Sequence, residues 1–447
     1  MQKFNIVNKV KNLIKNYFGQ ILQIIHTIKY NLLSLLNVGL GFIFVVMLGR
    51  SFGVGENTDI YFSSVIIITY LGSLVKTGNF AIQQYYLEIK ESNVKLAFEI
   101  YTILILQIVL VSILLISLYF IINNIYQIFN YKTTIFMNIF IFYILFFNIL
   151  SFNKIILSLE KFYSSIYIVD ILVNIVNILV LYFFAKEGII AIAFSMIGAA
   201  LLAVLWQFYL VYFKIGNSMK LGKFSNKKNF LVLIIRDSFK FNLGAIVYNL
   251  KDPMLISAFS QYGVGIYSLY SYANKFAGII MQVVNAPIVN IFITDCSNIV
   301  VRKKYELLNN FKNKLLFKII LLLLLSSLFI YLILPFIFEY FFNFMFNYNQ
   351  ITTLEEIYLY LIIFYLLGTI AIPYNIVLNF FKEFELIFYL KLIFIISLGL
   401  GYIIIYYCSM NFKYVLLALI FAQFITTLFF IHYYSKKLNY QLIKSKT

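Results

Sequence analysis

Several charged side chains stand inside long apolar runs of this sequence. Lys251 and Asp252 interrupt one run, Lys275 lies in the next, and Asp170 and Lys76 lie in two others. If these runs cross a membrane, each charge costs at least about 2.5–3.5 kcal/mol at a helix centre, so such positions are functional candidates. The cations would hold an anionic group, and the acids would hold a coupling ion such as Na⁺ or H⁺, or form structural ion pairs.

The dipeptide Lys251-Asp252 stands directly before Pro253. Neighbouring side chains on a helix point about 100° apart, which predicts that the two charges do not fully neutralise each other and that each has a second partner. Pro253 removes a backbone donor, frees the carbonyl of Asn249 and predicts a hinge. Two interpretations stand side by side: a cationic headgroup site on a bending helix, and an interhelical salt bridge that sets packing.

Arg50 and Asp59 flank a turn that contains Gly53 and Gly55. We interpret Arg50 as a candidate ligand for a diphosphate and Asp59 as a coupling-ion site or a structural acid. The alternative is that Arg50 is an interfacial anchor paired with Asp59 or Glu56. The two glycines are predicted to form a hinge, because glycine adopts backbone conformations that other residues avoid.

Lys76 and Asp170 have competing structural explanations. Lys76 lies toward one end of its run, where a lysine can extend its ammonium group to the membrane surface. Asp170 is either an ion-coupling acid or a structural acid that faces a hydroxyl such as Ser165. The candidate diphosphate ligands are therefore Arg50, Lys251, Lys275 and Lys76, and the candidate ion-coupling or structural acids are Asp59, Asp170 and Asp252.

Composition and run length predict the elements that carry these residues. Of the 447 residues, 63% are apolar and 12% are charged, which lies outside the range of soluble domains. The apolar runs match the roughly 20 residues that a helix needs to cross the hydrocarbon layer, where each segment must satisfy its own backbone hydrogen bonds. We therefore predict an all-α polytopic membrane protein with about twelve transmembrane helices in two parallel six-helix bundles. The approximate spans are 30–49, 59–78, 97–122, 133–152, 164–184, 188–213, 238–260, 265–294, 319–338, 356–379, 386–407 and 413–434.

The longest polar stretch in the middle of the chain separates the two sets of spans. It begins after Lys214 and contains four lysines and one arginine before the seventh span. Upstream of the first span, lysines recur among apolar residues at roughly helical spacing. This pattern is typical of an amphipathic helix on an anionic membrane surface. The predicted segments are a basic amphipathic N-terminal segment (1–29), an N-terminal lobe (30–214), a cytoplasmic linker (215–237), a C-terminal lobe (238–434) and a basic cytoplasmic tail (435–447).

The net charge of +18 follows the membrane topology and does not indicate a nucleic-acid partner. One set of connections holds only four cations, whereas the other set and both tails hold most of the 35 lysines and arginines. The cation-rich side is cytoplasmic by the positive-inside rule, which predicts cytoplasmic termini in the bacterial cytoplasmic (inner) membrane. The four cations of the outer set are Arg50, Lys132, Lys186 and Lys413.

An internal repeat appears at the first outer turn of each half. The tripeptide Gly-Val-Gly occurs at 53–55 and again at 263–265, each time between a first and a second span. Because six spans separate the two copies, both halves begin on the same face of the membrane. Parallel repeats of this kind commonly enclose a central substrate site. Gly263 and Gly265 are therefore predicted to form the second hinge.

Two hairpins of the sequence resemble a known family. Residues 48–62 (LGRSFGVGENTDIYF) with 76–80 (KTGNF) resemble the first hairpin of the lipid II flippase branch of the multidrug/oligosaccharidyl-lipid/polysaccharide (MOP) exporter superfamily. Residues 252–268 (DPMLISAFSQYGVGIYS) with 272–276 (YANKF) resemble the matching hairpin of that branch and of the O-antigen-type polysaccharide flippases. Together the two hairpins cover about 70 residues, and the other spans agree in number and topology.

The resemblance implies a V-shaped pair of six-helix bundles and a function. Such proteins rock between inward-open and outward-open states and move a polyprenyl-diphosphate-linked oligosaccharide from the inner to the outer leaflet. Arg50 and Lys275 fall on two of the cationic positions that hold the diphosphate in the lipid II branch. This chain has Phe44, Gly72 and Ser73 where that branch has arginines. These departures favour a surface-polysaccharide or oligosaccharide repeat unit over lipid II as the cargo.

Other function classes fit the sequence less well. A multidrug cation antiporter of the same superfamily would need an acidic site, and a membrane-embedded oligosaccharide polymerase would need a large outer loop. A scaffold without transport would not need charges inside its spans. The expected protein is a transporter that is not an enzyme and has no metal or cofactor, because its cysteines and histidines are isolated and no phosphate-binding loop occurs. These are Cys296, Cys408, His26 and His432. Its expected partners are the lipid-linked glycan, membrane lipids and a coupling ion.

Overall fold

The computed structural model describes most of the chain. The described residues are 32–75, 86, 90, 93–127, 130–160, 162–216, 236, 239, 242–281, 289, 292–293, 296, 299–300, 305–337, 346–381 and 383–446. The predicted basic segment 1–29, most of the predicted linker 215–237 and the candidate ligand Lys76 lie outside them.

Every regular element in these ranges is a helix, which confirms the predicted all-α class. We number the helices in chain order. They are α1 (Leu32–Phe52), α2 (Glu56–Val75), α3 (Val94–Tyr126), α4 (Tyr131–Phe140), α5 (Tyr143–Leu159), α6 (Tyr163–Phe184), α7 (Ile190–Tyr209), α8 (242–249), α9 (Lys251–Ser260), α10 (Ile266–Ile280), α11 (Glu306–Ile337), α12 (Tyr348–Phe380), α13 (Phe384–Tyr407) and α14 (Lys413–Lys446).

The helices match the predicted spans in order. Within the described ranges, nine helices are long and apolar enough to cross a membrane, and a tenth span results if α4 and α5 are one span bent by 41°. Helices α8 with α9, and helix α10, stand where the seventh and eighth spans are predicted. The chain is therefore a polytopic membrane protein, as predicted.

Polar residues between the apolar runs set several helix ends. Asn93 accepts a hydrogen bond from the backbone amide of Leu96 and so begins α3, and Asn347 forms a capping box with Gln350 at the start of α12. The middle of α3 exposes Leu110 and Leu114. Apolar side chains exposed along a long apolar helix are what a lipid-facing surface requires.

Three groups of buried side chains form the interior. One lies among helices of the first half, from Val75 to Val211, and another among helices of the second half, from Phe292 to Leu438. The largest group contains residues of both halves and so joins them. Helix α2 of the first half packs directly on α9 and α10 of the second half. The candidate residues of both hairpins are therefore carried on helices that face each other.

Candidate functional site

A cavity of about 510 Å³ lies between the first half and the second half of the chain. Its wall in the first half comes from α1, α2, α5, α6 and α7, and its opposite wall comes from α10 and α12. Among the described residues that line the cavity, Lys275 on α10 is the one that carries a charge, and its side chain is exposed to the cavity. The other polar residues of the wall are Asn37, Tyr61, Tyr143, Asn174, Asn177, Asn274 and Tyr365.

A second cavity of about 420 Å³ lies among the helices of the second half and contains Lys251 and Asp252. The Nζ atom of Lys251 is 3.1 Å from Oδ2 of Asp252 and 4.6 Å from the ring centroid of Tyr248. The two neighbours therefore contact each other, because the long lysine stem bends back to the adjacent carboxylate, and the ring of Tyr248 is a second partner of Lys251, as predicted. That the two charges do not fully neutralise each other stays a prediction. The bond lies within one helix, so the interhelical salt bridge considered above is not formed between these two groups.

Asn274 and Tyr365 line both cavities. The hydroxyl group of Tyr365 donates a hydrogen bond of 2.5 Å to Oδ1 of Asn274. The two cavities are therefore neighbours that share this hydrogen-bonded pair. Lys275 lines the first cavity, and Lys251 lines the second.

The helix that carries Lys251 is interrupted at Leu250, one turn before Pro253. The backbone amide of Leu250 lies 3.2 Å from the carbonyl of Ile246 and 3.1 Å from that of Val247, so it divides its hydrogen bond between two acceptors. Pro253 itself has no amide hydrogen to offer to Asn249. The interruption occurs where the hinge is predicted, and the hinge itself stays a prediction.

Asp59 joins the two hairpins at the end of the molecule where the Gly-Val-Gly turns lie. Its carboxylate accepts hydrogen bonds from the backbone amides of Gly265 (2.6 Å) and Ser268 (2.8 Å) and from the hydroxyl of Ser268 (2.5 Å). Gly265 and Ser268 form the first turn of α10. The acid of the first half therefore caps a helix of the second half, where the free amides and the helix dipole favour a negative charge.

The repeat is visible in the same contact. The hydroxyl of Ser268 also lies 2.8 Å from that of Thr58, and these residues hold the same position after their respective Gly-Val-Gly turns. The hydroxyl of Tyr272 reaches the carbonyl of Gly53 at 3.4 Å, and its ring meets that of Phe62 edge to face at 5.1 Å. Equivalent elements of the two halves thus close this end of the molecule.

The four predicted hinge glycines do not share one conformation. Gly53, Gly263 and Gly265 have positive φ angles of 65°, 107° and 93°, respectively. A Cβ atom on Gly265 would lie 2.7 Å from Cγ1 of Val54, whereas one on Gly55 would have no neighbour within 4 Å. Gly265 therefore serves a close approach of the two turns, in addition to a backbone conformation that other residues avoid.

Arg50 is exposed at the end of α1 and lies apart from both cavities. The proposed pairing of Arg50 with Asp59 or Glu56 is wrong. Asp59 caps α10, and Oε2 of Glu56 forms an ion pair of 2.5 Å with Nζ of Lys132. Arg50 has no ion-pair partner among the residues that the structure describes.

Asp170 on α6 pairs with Lys154 on α5, with Nζ and Oδ1 separated by 2.5 Å. The expected contact with a hydroxyl such as Ser165 is therefore replaced by an ion pair between adjacent helices. One and two helical turns further along the same helix, Asn174 and Asn177 line the first cavity. Asp170 therefore stands on the helix face that leads to this cavity.

Three further features were not found from the sequence. Asn37, Asn174 and Asn177 meet in the first cavity, although no sequence signal distinguishes an amide that faces a cavity from one that faces a neighbouring helix. Lys391, inside α13, lies with Nζ 3.6 Å from the position that a Cβ atom on Gly244 would take. Lys312, inside α11, lies over the rings of two tyrosines. A charge within an apolar run was the available signal for Lys391. Lys312 stands in a polar segment with other lysines, where the sequence gives no such signal.

Comparison with known proteins identifies this arrangement of helices. No family model matches the chain, and no curated protein matches it. An inward-facing multidrug resistance MATE family transporter of the MOP superfamily has 13% identity and a TM-score of 0.74, over 93% of this chain and 96% of that one. The lipid II flippase MurJ in its inward closed conformation has 18% identity and a TM-score of 0.67, over 94% of this chain and 88% of that one.

A third solved structure is a MOP superfamily transporter from Pyrococcus furiosus, which is described as having a binding pocket of reverse polarity. It has 11% identity and a TM-score of 0.69, over 93% of this chain and 95% of that one. These likenesses extend over nearly the whole length of each chain. The chain therefore has the fold of the MOP superfamily, which confirms the fold implied by the resemblance of its two hairpins.

Proposed function

We propose that this protein is a flippase that moves a polyprenyl-diphosphate-linked oligosaccharide from the inner to the outer leaflet of the bacterial cytoplasmic membrane. The observation that carries the proposal is the charge of the cavity between the halves: among the described residues that line it, Lys275 is charged and none is an acid. A cation without a neighbouring carboxylate suits an anionic headgroup. The solved structures with this fold include transporters and a flippase, which agrees with a transport role.

The charges argue against export of organic cations. In the second cavity, Asp252 is the acid, and its carboxylate is bonded to Lys251 at 3.1 Å. An organic cation entering either cavity would meet Lys275 or Lys251 before it met an unpaired carboxylate. The multidrug antiporter of the same fold is therefore the less favoured function.

The membrane potential supplies a direction for this transport. A diphosphate linkage carries one to two negative charges, and moving one elementary charge across 100 mV is worth about 2.3 kcal/mol. With a negative cell interior, outward movement of the anion is favourable by a few kcal/mol. Coupling to Na⁺ or H⁺ would add to this driving force.

The arrangement of Asp59 assigns a step of the cycle. With the predicted orientation, the Gly-Val-Gly turns lie on the outer side, and Asp59 holds that side closed through α10. We propose that a molecule closed in this way is the state that receives its cargo from the cytoplasmic side. Release to the outer leaflet requires these bonds to break.

Depletion of the protein followed by extraction of membrane lipids tests the function. An undecaprenyl-diphosphate-linked oligosaccharide should accumulate, with its glycan protected from enzymes added outside spheroplasts. Accumulation of lipid II instead would identify the second candidate, a flippase for peptidoglycan synthesis. Normal surface glycan and normal peptidoglycan, together with heightened sensitivity to cationic dyes, would identify a drug antiporter and refute the proposal.

A further inference from the structure

Three asparagine amides meet in the wall of the first cavity, opposite α10. The amide nitrogen of Asn174 donates to Oδ1 of Asn37 at 2.8 Å and approaches its backbone carbonyl at 3.4 Å. The hydroxyl of Ser195 donates to Oδ1 of Asn177 at 2.6 Å. The amide nitrogens of Asn37 and Asn177 and the side-chain oxygen of Asn174 then have no protein partner in the described ranges. The wall of the cavity therefore offers two hydrogen-bond donors and one acceptor to a bound group.

Aromatic rings stand beside these amides. The ring centroids of Phe44 and Tyr61 are 6.1 Å apart, those of Tyr61 and Phe62 are 5.2 Å apart, and Tyr143 completes the group. An apolar, aromatic wall with a few polar groups is the usual construction of a site for a small organic group. The volume of about 510 Å³ lies within the range of such sites.

The chemistry of this wall fits an uncharged sugar. Sugar hydroxyls both donate and accept hydrogen bonds, as the three amides do, and the C–H faces of a sugar ring are apolar, as aromatic rings are. A metal cation fits poorly, because none of the described residues lining the cavity has a carboxylate, and the side-chain oxygens of Asn37 and Asn177 already accept hydrogen bonds from protein donors.

We infer that the wall formed by Asn37, Asn174 and Asn177 binds the sugar next to the diphosphate, and that Lys275 holds the diphosphate from the facing helix. The inference rests on the proposed function and adds a division of labour to it. The amides and rings of the first half select the glycan, whereas the cation of the second half binds the part common to all such lipids.

The test compares two lipids on the purified protein. One is the lipid-linked oligosaccharide extracted from depleted cells, and the other is undecaprenyl diphosphate, which has no sugar. The wild-type protein should bind the first about 10-fold more tightly, which corresponds to one or two hydrogen bonds. Asn174→Leu and Asn177→Leu should each bring the ratio of the two dissociation constants close to one while leaving undecaprenyl diphosphate binding unchanged.

Two further variants make the result specific. Lys275→Gln should weaken both lipids by a similar factor and keep their ratio. Asn153→Leu is the matched control, because Asn153 is a buried amide of α5 that bonds to Tyr101 at 2.8 Å and lies apart from the cavity. It should leave the ratio unchanged.

The outcomes separate this inference from the proposed function. Equal affinity of the wild-type protein for the two lipids would overturn the sugar site and leave the diphosphate site intact. Binding of neither lipid would refute the proposed function itself. If Na⁺ raises the melting temperature of the protein, and Asn174→Leu abolishes that rise without changing the lipid ratio, the amides form a cation site and the inference is wrong.

Discussion

The lysines inside the second half differ in what surrounds their charge. Lys312 is buried with Nζ 4.5 Å from the ring centroids of both Tyr374 and Tyr434, so two cation–π contacts compensate it. Lys391 rests against Gly244, on the seventh predicted span, and has no ion-pair partner among the described residues. A lysine within a span and without such compensation is a candidate to meet an anionic group during transport.

Lys391→Gln should therefore lower flipping about 10-fold while the amount of protein in the membrane stays normal, which is the effect of losing one hydrogen bond to an ionised group. Lys391→Arg should keep most of the activity, because the charge remains. Lys312→Gln is the control: loss of its contacts to two rings should lower the amount of folded protein. Transport per folded molecule should then be unchanged. A Lys391→Gln variant with normal transport would show that Lys391 has only a packing role.

The bond between Lys251 and Asp252 leads to a different pattern of effects. Lys251→Gln leaves the carboxylate of Asp252 unpaired inside the membrane, so the amount of folded protein should fall. Adding Asp252→Asn should restore that amount. Transport should stay about 10- to 100-fold low in the double variant, because the cation that faces the cavity is still missing. Recovery of both abundance and transport, measured by immunoblotting and by glycan display, would remove Lys251 from the proposed site.

Residue pairing was the part of the site least accessible to sequence analysis. The charges of Lys251, Asp252 and Lys275 were visible because charge is rare inside apolar runs, and all three line cavities. The partner of Asp170 depends on the relative orientation of α5 and α6 about their axes. The residue pattern within one helix does not predict that orientation. The amides of Asn174 and Asn177 carry no charge, so they resemble the other asparagines of the spans.

At the scale of elements, α2 and α10 depend on each other through Asp59. Three hydrogen bonds to an ionised carboxylate hold the first turn of α10, and each such bond is worth about 1.5–3 kcal/mol. Asp59→Ala should therefore shift the protein toward states that are open at this end. Asp59→Asn should have a smaller effect, because an amide oxygen can still cap a helix.

A cysteine in place of the buried Ser271, one turn beyond Ser268, measures this opening. The native cysteines are removed first, so that the cysteine at position 271 is the one that reacts. Its reaction with an impermeant maleimide from outside should be at least about 10-fold faster when Asp59 is alanine. Glu56→Ala is the matched control, because Glu56 pairs with Lys132 within the first half. Equal labelling rates of the Asp59→Ala and Glu56→Ala proteins would show that the carboxylate of Asp59 does not hold the two halves closed.

Helix positions were predictable from the sequence to a greater extent than helix shapes. Run length and charge placed a helix at each predicted span, because both follow directly from the thickness of the hydrocarbon layer. The 41° bend between α4 and α5 was not predicted. It occurs at Ile141 and Phe142, without proline or glycine, where the backbone amides of Phe142, Ile144 and Leu145 bond to carbonyls three residues back. The bend thus coincides with a short stretch of bonding between residues three apart, which no proline or glycine marks in the sequence.

At the scale of the whole molecule, orientation in the membrane is a prediction from the distribution of lysine and arginine. Reporter fusions at Asn57, Asn217 and Asn347 should give outside, inside and outside signals, respectively. Alkaline phosphatase and a cytoplasmic fluorescent protein provide complementary readouts, so that each site is positive with one of them. An outside signal at Asn217 would place the middle of the chain on the wrong side and would overturn the assignment of six spans to each half.

The contact between Thr58 and Ser268 also bears on the history of the molecule. Two copies of one ancestral half, arranged around a two-fold axis, would have met through this same pair of positions, each copy contacting its twin. In such a dimer the acid at the position of Asp59 in each copy would have capped a helix of the other copy, giving two symmetric caps. The second half of this chain has Leu269 at the position equivalent to Asp59, so of these two caps it has the one formed by Asp59. An aspartate in place of Leu269 would add about 1.5–3 kcal/mol for each hydrogen bond that it formed. It would hold the two halves together through more of each cycle. The contact between the two halves is thus asymmetric in its cap, although the residues that meet in it hold equivalent positions.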